Sequence, residues 1–414
     1  MKDPIPCRFC ARPLETTFVD LGLSPLSNSY VKPENLGRPE VFYPLHVFLC
    51  DACLLVQLPE EEAPEKIFSD YAYFSSFSDS WLEHCERYAA QVVERFGLGK
   101  EHLVMELASN DGYLLQYFKA RDLPVLGIEP AGNVAEVAEK AGIPTRVQFF
   151  GKETAKQLVE EGYRADLLVG NNVLAHVPDL NDFVAGMKVV LAPGGVITME
   201  FPHLLRLMQE GQFDTIYHEH FSYFSFHTVR AIFAAHGLTL FDVEELNTHG
   251  GSLRIYGRHE GQTAIGETGV SHRVEDLLAR EEEAGLTSRE AYLSFAETAQ
   301  SVKRGLLRFL LKVKEERGTV VGYGAPAKGN TLLNYCGIRE DFLDYTVDRS
   351  PHKQGCFLPG TRIPIYEPER ILETKPDYVL ILPWNLKGEI VDQMAEIRSW
   401  GGQFVVAVPE IDVL

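Results

Sequence analysis

The chain has 414 residues, of which 45% are hydrophobic and 24% charged, and its formal net charge is −20. This length predicts two or three domains, and the negative charge argues against nucleic-acid binding, which depends on lysine and arginine neutralising phosphates. No apolar run reaches membrane-spanning length, and the start MKDPIPCRFC lacks the apolar stretch of a signal peptide. We therefore expect a cytoplasmic protein without a nucleic-acid or membrane partner.

The first motif along the chain is a pair of CxxC turns, formed by Cys7 with Cys10 and by Cys50 with Cys53. In a cytoplasmic protein, cysteines act as thiols or metal ligands rather than as disulfides. Each CxxC turn can place two thiolates on one ion, so the four cysteines predict a zinc site. Four thiolates close the coordination shell, and such a zinc stabilises a fold instead of activating water. Unrelated surface thiols are the alternative; we expect a zinc-binding module over residues 1–75.

The segment YAYFSSFS, residues 71–78, carries aromatic and hydroxyl side chains at the end of this module. It either covers a cofactor and a substrate as a lid, or it links two domains and packs through its rings. If it is a lid, its candidate substrate contacts are Tyr73, Phe74 and Ser75.

From about residue 84 onward, helical segments alternate with apolar strands. The strands are HLVMELA, PVLGIEP, ADLLVGNNVLAHV and GGVITMEFP. This β-α-β alternation predicts an α/β fold with a doubly wound, Rossmann-like parallel sheet that binds its ligand at the carboxyl ends of the strands. We expect this domain to cover residues 76–258.

Two features of this sheet indicate the cofactor. The first strand-to-helix turn, ELASNDGYL, has the single glycine Gly112, so the pyrophosphate-binding G-x-G-x-x-G is absent. Glu129, at the end of the second strand, can accept hydrogen bonds from both hydroxyls of a ribose. A ribose without a pyrophosphate indicates S-adenosylmethionine, and another kind of nucleotide-binding sheet is the alternative. The expected cofactor contacts are Glu106, Ala108, Ser109, Asn110, Asp111, Gly112, Glu129, Asn171, Asn172 and His176.

The segment TIYHEHFSYFS, residues 215–225, follows the strand GGVITMEFP and lies at the edge of the predicted sheet. His218 and His220 share a face only if the segment is a strand, and Glu219 then points away. Two imidazoles without a third firm ligand make a poor metal site. Packing of aromatic rings accounts for Phe221 and Phe224 but not for three consecutive titratable residues. We therefore interpret the segment as acid–base machinery, in which a histidine serves as the base because its pKa lies near neutral pH.

The next motif is HGGS, which begins at His249. Gly250 and Gly251 permit a close approach of the backbone to a ligand. A tight turn alone also needs such glycines, so the motif leaves both possibilities open.

The C-terminal part, residues 259–414, predicts charged helices and then a second, smaller Rossmann-like α/β domain. VVGYGAPAKGN forms a strand, a glycine-rich turn and the start of a helix. Gly329 follows Lys328, so the turn is not an ATP-hydrolysing P-loop, but it is a suitable cradle for an anion. The strand ends of this domain bring together Lys328, Asp348, Lys353 and Asn385.

In combination, the four-cysteine module and the segments SNDG, YHEHF, HGGS and GYGAPAKGN resemble the nucleotide-sugar C-methyltransferases over nearly the whole chain. That family includes the C-3 methyltransferase of the thymidine-diphosphate tetronitrose pathway. The resemblance implies S-adenosylmethionine and structural zinc as cofactors and a nucleotide-diphosphate keto-deoxysugar as substrate. The alternatives are a non-catalytic binding protein and an O- or N-methyltransferase of a sugar nucleotide. We expect a monomer.

The resemblance also implies roles for individual residues. His220 takes the proton next to the ketone, while Tyr217 and Glu219 surround the substrate; His218 is the competing base. The expected substrate contacts are Tyr73, Phe74, Ser75, His218, His249, Gly250, Gly251, Lys328, Asn330, Asp348, Lys353 and Asn385.

Overall fold

The structure is a computed structural model that describes residues 5–63, 75–267 and 269–414. In these residues, strands form a four-stranded, a seven-stranded and a six-stranded sheet. The strands are β1 (Thr16–Ser24), β2 (Tyr43–Leu49), β3 (Val56–Gln57), β4 (Val104–Leu107), β5 (Val125–Ile128), β6 (Thr145–Arg146), β7 (Ala165–Asn171), β8 (Leu191–Pro202), β9 (Ser222–Tyr223), β10 (Leu238–Leu246), β11 (Ser252–His259), β12 (Val320–Tyr323), β13 (Thr346–Val347), β14 (Ile365–Tyr366), β15 (Tyr378–Ile381), β16 (Gln403–Val406) and β17 (Asp412–Val413).

Helices cover the sheets and connect their strands. The α-helices of the described part are α1 (Asp79–Phe96), α2 (Leu115–Lys119), α3 (Gly132–Lys140), α4 (Lys152–Glu160), α5 (Leu180–Val190), α6 (Leu204–Gln209), α7 (Phe226–Ala235), α8 (His272–Glu283), α9 (Arg289–Leu293), α10 (Phe295–Glu315), α11 (Ala327–Cys336), α12 (Arg370–Thr374) and α13 (Lys387–Gln393). Within the same residues, no helix is long and apolar enough to cross a membrane.

The central sheet has the order β10-β11-β8-β7-β4-β5-β6. Strands β4 to β8 are parallel, and β11 runs antiparallel to both β8 and β10. Side chains of β4 alternate between two layers of helices, with Met105 and Leu107 on one side and Val104 on the other. The predicted doubly wound sheet is confirmed. Chain order reverses at β4, which is where such sheets bind ligands.

The N-terminal sheet is antiparallel and takes its last strand from another part of the chain. Its order is β1-β2-β3-β9, and Val56 and Gln57 of β3 pair with Tyr223 and Ser222 of β9. Because β9 belongs to the segment TIYHEHFSYFS, the cysteine-containing module is joined directly to that segment.

The C-terminal sheet has the order β14-β13-β12-β15-β16-β17 and is parallel except for β17. It confirms the predicted second α/β sheet. The preceding helix α10 buries Val302, Leu306 and Leu310 along one face. Phe295 of α10 stacks on Phe18 of β1 with ring centroids 4.7 Å apart, so the N-terminal and C-terminal sheets share one hydrophobic core.

Candidate active site

The four cysteines of the two CxxC turns meet in one cluster. Their sulfur atoms all lie within 4.8 Å of one another, with 3.6 Å between Cys7 and Cys53 and 3.4 Å between Cys10 and Cys50. Four sulfurs bound to one tetrahedral zinc are about 3.8 Å apart, given a Zn–S bond of about 2.3 Å. The cluster therefore fits a closed zinc site.

A cavity of about 550 Å³ lies at the carboxyl ends of β4, β5 and β7, the region that the strand order indicates. It is lined by Asn110 and Glu129 of the central domain, by Tyr30 of the N-terminal module, and by Lys328 and Lys353 of the C-terminal part. The N-terminal, central and C-terminal parts of the chain thus contribute to one cavity.

Glu129 is held in place at the cavity wall by backbone donors. Asn110 donates its N–H to one carboxylate oxygen at 2.9 Å, and Ala131 donates to the other at 2.8 Å. Burial raises the pKa of Glu129, and the two N–H donors oppose that rise. The side chain of Asn110 in turn accepts the backbone N–H of Ser75 at 3.0 Å. The SNDG turn therefore orients the carboxylate that was expected to bind a ribose.

The structure divides the expected cofactor contacts into two groups. Those that line the cavity are Ala108, Asn110, Glu129, Asn171, Asn172 and His176. Those outside its lining are Glu106, Ser109, Asp111 and Gly112.

The four residues outside the lining shape the SNDG turn and the strand before it. Glu106 and Ser109 have no exposed surface. Asp111 accepts both the backbone N–H and the hydroxyl of Ser76, at 3.2 and 2.6 Å. Gly112 has a φ of +81°, and a Cβ there would lie 3.0 Å from Ile143. These four residues lie outside the cavity lining, and their direct contact with a cofactor stays a prediction.

One wall of the cavity was missed by sequence reasoning. Gln148, Phe149 and Phe150 follow the short strand β6, and Phe183 of α5 faces them. The rings of Phe150 and Phe183 meet edge to face with centroids 5.3 Å apart. No motif marks these residues, and the run of two phenylalanines is the local signal that the sequence offers.

The segment TIYHEHFSYFS contributes Tyr217, Glu219 and His220 to the cavity. The backbone turns at this point, since the N–H of His220 donates to the carbonyl oxygen of Tyr217 at 2.9 Å. In a turn, side chains do not alternate as they do in a strand. His218 therefore lies outside the cavity lining, where its Nε2 is 3.2 Å from the carbonyl oxygen of Pro44. The substrate contact of His218 stays a prediction.

The environment of His220 determines which of its nitrogens carries the hydrogen. Nδ1 is 2.9 Å from the carbonyl oxygen of Thr215; a carbonyl only accepts, so Nδ1–H is the donor and Nε2 keeps its lone pair. Burial lowers the pKa of His220 well below its usual value, and the neighbouring His176 adds to the shift. The ring of Tyr217 lies 4.0 Å from that of His220 between centroids. His220 is thus a neutral imidazole whose Nε2 can accept a proton.

Two further cavity residues come from the N-terminal module and carry no recognisable motif. Asn28 donates its side-chain N–H to Glu219 at 2.6 Å. Tyr30 donates its hydroxyl hydrogen to the carbonyl oxygen of Ala325 at 2.6 Å. Sequence reasoning missed both, because the segment PLSNSYV looks like an ordinary loop.

The C-terminal part supplies two lysines to the cavity. Lys328 donates to the side chain of Asn385 at 2.8 Å, and burial lowers its pKa while the charge of Asp214 opposes that shift. Lys353 donates to the carbonyl oxygen of Ala325 at 3.1 Å. Both lysines lie near the start of α11, whose first residues also line the cavity. This end of the cavity therefore carries two lysine side chains.

Three other expected substrate contacts in this region support the lysines or the fold instead. Asp348 accepts from Lys353 at 3.5 Å and from the backbone N–H of Ala325 at 2.7 Å. Asn385 accepts from Lys328, and Asn330 donates to the carbonyl oxygen of Ser27 at 2.5 Å. None of the three lines the cavity, and their direct contact with a substrate stays a prediction. Within the described part of the structure, the Oδ1 atom of Asn330 is buried without a hydrogen-bond partner.

The structure separates the histidine of the HGGS motif from its two glycines. His249 lines the cavity, but Gly250 and Gly251 do not. Both glycines have positive φ, +94° and +114°, and a Cβ would lie 2.4 Å from Trp384 at the first and 2.9 Å from Arg206 at the second. Both positions therefore need glycine because these two side chains lie close against the backbone.

Of the predicted lid contacts, Ser75 lines the cavity. Tyr73 and Phe74 lie outside the described residues.

The chain has a curated relative of nearly the same length. C-methyltransferase NovU from Streptomyces niveus is 35% identical over 408 residues, which cover 99% of this chain and 96% of the relative. This chain belongs to the C-methyltransferase family. Three family models also match this C-methyltransferase: a zinc binding domain at residues 7–68, a methyltransferase domain at 81–243, and a C-methyltransferase C-terminal domain at 247–409.

Solved structures resemble part of this C-methyltransferase at low identity. Magnesium protoporphyrin IX methyltransferase from Synechocystis PCC 6803, solved with bound S-adenosylmethionine, is 14% identical and covers 42% of this chain and 78% of its own, with a TM-score of 0.33. An S-adenosylmethionine-dependent methyltransferase from Clostridium acetobutylicum ATCC 824 is 12% identical, and the match covers 44% of this chain and 92% of that protein, with a TM-score of 0.36.

Membership in the family identifies the reaction. This C-methyltransferase is an enzyme that depends on S-adenosylmethionine. The zinc binding domain model covers all four clustered cysteines, and together they confirm the predicted structural zinc.

Proposed function

We propose that the enzyme methylates a carbon next to the ketone of a nucleotide-linked keto-deoxysugar. The observation that carries this proposal is the juxtaposition of Glu129 and His220 on one cavity. Glu129 suits a ribose, and the Nδ1 bond of His220 to Thr215 leaves Nε2 as a base beside it. Methyl transfer to carbon needs such a base, because the proton on the carbon must leave before the carbon can act as a nucleophile.

The cavity accommodates the cofactor on its central-domain side. Glu129 binds the ribose hydroxyls, with its carboxylate already oriented by Asn110 and Ala131. Phe149 and Phe150 form an apolar wall next to this carboxylate that suits a flat adenine ring. Bound there, S-adenosylmethionine supplies the methyl group.

The cavity accommodates the nucleotide sugar on its C-terminal side. Lys328 lies in the first turn of α11, where the backbone N–H groups of a helix also favour anions. Lys353 reaches Ala325, just before this helix. A diphosphate is the part of a nucleotide sugar that needs such charge. The sugar then lies between these lysines and the cofactor, next to Tyr217, Glu219 and His220.

The residues next to the sugar carry the proposed chemistry. His220 Nε2 accepts the proton from the carbon next to the ketone, and the electron pair of that C–H bond moves onto the ketone oxygen. Tyr217 donates a hydrogen bond to this oxygen as its negative charge develops. Glu219, held by Asn28, binds a sugar hydroxyl and fixes the ring. The electron pair then returns from the ketone oxygen, and the carbon forms a bond to the methyl carbon. The S–CH3 bond would break in the same step, with its electrons remaining on the sulfur of the departing S-adenosylhomocysteine.

A panel of nucleoside-diphosphate keto-deoxysugars tests this proposal. Each is incubated with the enzyme and methyl-labelled S-adenosylmethionine, and products are analysed by mass spectrometry. We expect one sugar nucleotide to gain a labelled methyl group on carbon and to lose the deuterium placed next to its ketone. A methyl group found on oxygen or nitrogen, or no methylated sugar nucleotide at all, would overturn the proposal.

A further inference from the structure

Trp384 connects three sequence motifs whose residues lie far apart in the chain. Its indole Nε1–H donates to a carboxylate oxygen of Asp214 at 2.7 Å, just before the segment YHEH. The Nζ of Lys328, in the glycine-rich turn, lies 4.5 Å from the centroid of its ring. A Cβ on Gly250 of HGGS would lie 2.4 Å from its Cη2. Trp384 itself is not part of the cavity lining, so it acts on the site through these neighbours.

The contact with Asp214 lies directly behind the proposed base. Asp214 is fully buried in the short turn Phe213–Thr215. The next residue, Thr215, accepts the Nδ1–H of His220 at 2.9 Å. The indole bond from the C-terminal part therefore reaches the turn whose carbonyl oxygen orients the imidazole. It adds to the bonds that Thr215 makes within the turn, from its N–H and its hydroxyl to the carbonyl oxygen of Gln212.

The bond is also one that the buried carboxylate needs. Burial raises the pKa of Asp214 to about 6, and the charge of Lys328 opposes the shift. Without the indole donor, the carboxylate would lose a charge-assisted hydrogen bond in a place that water does not reach. The carboxylate would be left with the backbone donors of Asp214 and Thr215. A shift of the turn that strengthens those bonds would move the carbonyl oxygen of Thr215.

We propose that Trp384 is a positioning residue for the general base. Trp384 holds Asp214 and thereby keeps the carbonyl oxygen of Thr215 in place. That oxygen accepts the Nδ1–H of His220, so Nε2 stays free to act as the base. This inference rests on the proposed role of His220. It makes the C-terminal part, which carries the charged end of the cavity, responsible for the tautomer of a residue in the central part.

The variant Trp384→Phe tests the inference, because it keeps an aromatic ring and removes the N–H donor. Nitrogen-15 NMR of labelled histidines reports the tautomer, and the His220 signals are assigned by their absence from His220→Asn. We expect the unliganded variant to lose the pure Nδ1–H pattern of His220. Its exchange of the substrate's α-proton with heavy water should fall by up to about 100-fold, as for a small misplacement of a catalytic group. Affinity for S-adenosylmethionine should stay unchanged.

Two further variants separate positioning from general stability. Trp400→Phe makes the same change in the same part of the chain, where the indole donates to the carbonyl oxygen of Pro376 at 3.0 Å; tautomer and exchange rate should match the wild type. Asp214→Asn keeps an oxygen that can accept from Trp384, and it should retain the tautomer. If it lost the tautomer while folded, the charge of Asp214 rather than the bond would hold the turn, and the inference would be wrong.

The outcomes distinguish this inference from the proposed function. If folded Trp384→Phe keeps both the tautomer and the exchange rate, Trp384 does not position the base. If instead His220→Asn exchanges the α-proton normally, the proposed function fails, whatever the tautomer in Trp384→Phe. If Trp384→Phe and Trp400→Phe lost the tautomer and the exchange rate equally, Trp384 would contribute only to the stability of the fold, and the inference would be wrong.

Discussion

Asn28 donates a hydrogen bond to Glu219 at 2.6 Å although 191 positions separate the two residues in the chain. The bond brings the N-terminal module to the segment that carries the proposed base. Both residues line the cavity, so the zinc-binding module contributes to the candidate active site.

The substitution Asn28→Asp should make this contact repulsive. Two carboxylates at hydrogen-bonding distance cannot both stay ionised, so the pKa of one of them rises. We expect turnover to fall at pH 8 and to recover partly at pH 6, where one carboxyl group takes a proton. Asn28→Ala, which removes the bond without adding charge, serves as the control and should show no such recovery. Equal pH dependence in both variants would contradict a direct contact with Glu219.

Replacing the two histidines of YHEH should have unequal effects. His220→Asn should lower turnover by about two to four orders of magnitude, as for the loss of a general base, and should stop exchange of the substrate's α-proton with heavy water. His218→Asn is the matched control; it should be much milder, because His218 contacts Pro44 outside the cavity lining. Isothermal titration should find normal cofactor binding in both. The reverse ranking would make His218 the base.

The rate of α-proton exchange should begin to fall only at a pH below the usual pKa of histidine. Burial, and then the neighbouring His176, lower the pKa of His220 well below its usual value. The neutral imidazole is the active form, so the rate should stay constant from neutral pH to below about 6.5, and should fall only at more acidic pH as His220 becomes protonated. A pH–rate profile of α-proton exchange measures this directly. A midpoint at or above the usual pKa would show that the cavity does not keep this ring neutral.

Removal of the Glu129 carboxylate should weaken binding of the cofactor. We expect Glu129→Ala to cost about 1.5–3 kcal/mol of S-adenosylmethionine affinity, the range for hydrogen bonds to a charged group. Titration calorimetry measures the change, and Glu139→Ala on the exposed side of α3 is the control. Unchanged affinity in Glu129→Ala would place the ribose elsewhere.

The zinc site should matter for turnover as well as for folding. Gln57 donates to the sulfur of Cys7 at 3.2 Å and pairs with Ser222, next to the YHEH segment. Elemental analysis should find about one zinc per chain, and Cys10→Ser should lose zinc and lower both turnover and the free energy of unfolding. Cys356→Ser, outside the cluster, should keep its zinc and its turnover. A zinc-free protein with full turnover would contradict this coupling.

Features that depend on local spacing could be predicted from the sequence. A CxxC turn brings two sulfurs together whatever surrounds it, so the four cysteines were sufficient to predict zinc. Alternation of apolar strands with helices likewise predicts the parallel sheet. Glu129 follows from the same pattern, because a residue directly after a strand lies at the ligand-binding edge. The structure places its carboxylate at the cavity as expected.

Side-chain directions in the irregular segments could not be predicted in this way. The YHEH segment forms a turn, so neither the period of a strand nor that of a helix tells which of its residues face the cavity. Pairing of β3 with β9 decides this, because it fixes the segment against the N-terminal sheet. Gly250 likewise leaves room for the ring of Trp384, a residue that follows β15 of the C-terminal sheet.

The sequence by itself determined the zinc ligands, the order of the domains and the strand end that carries Glu129, because each depends on residues that are neighbours in the chain. Only the tertiary structure decided that Asn28 reaches Glu219 and that Trp384 holds Asp214. These pairs join residues more than a hundred positions apart, and their contact depends on how three sheets pack around one cavity. No local periodicity records that packing, since each segment is compatible with many arrangements until the others are in place.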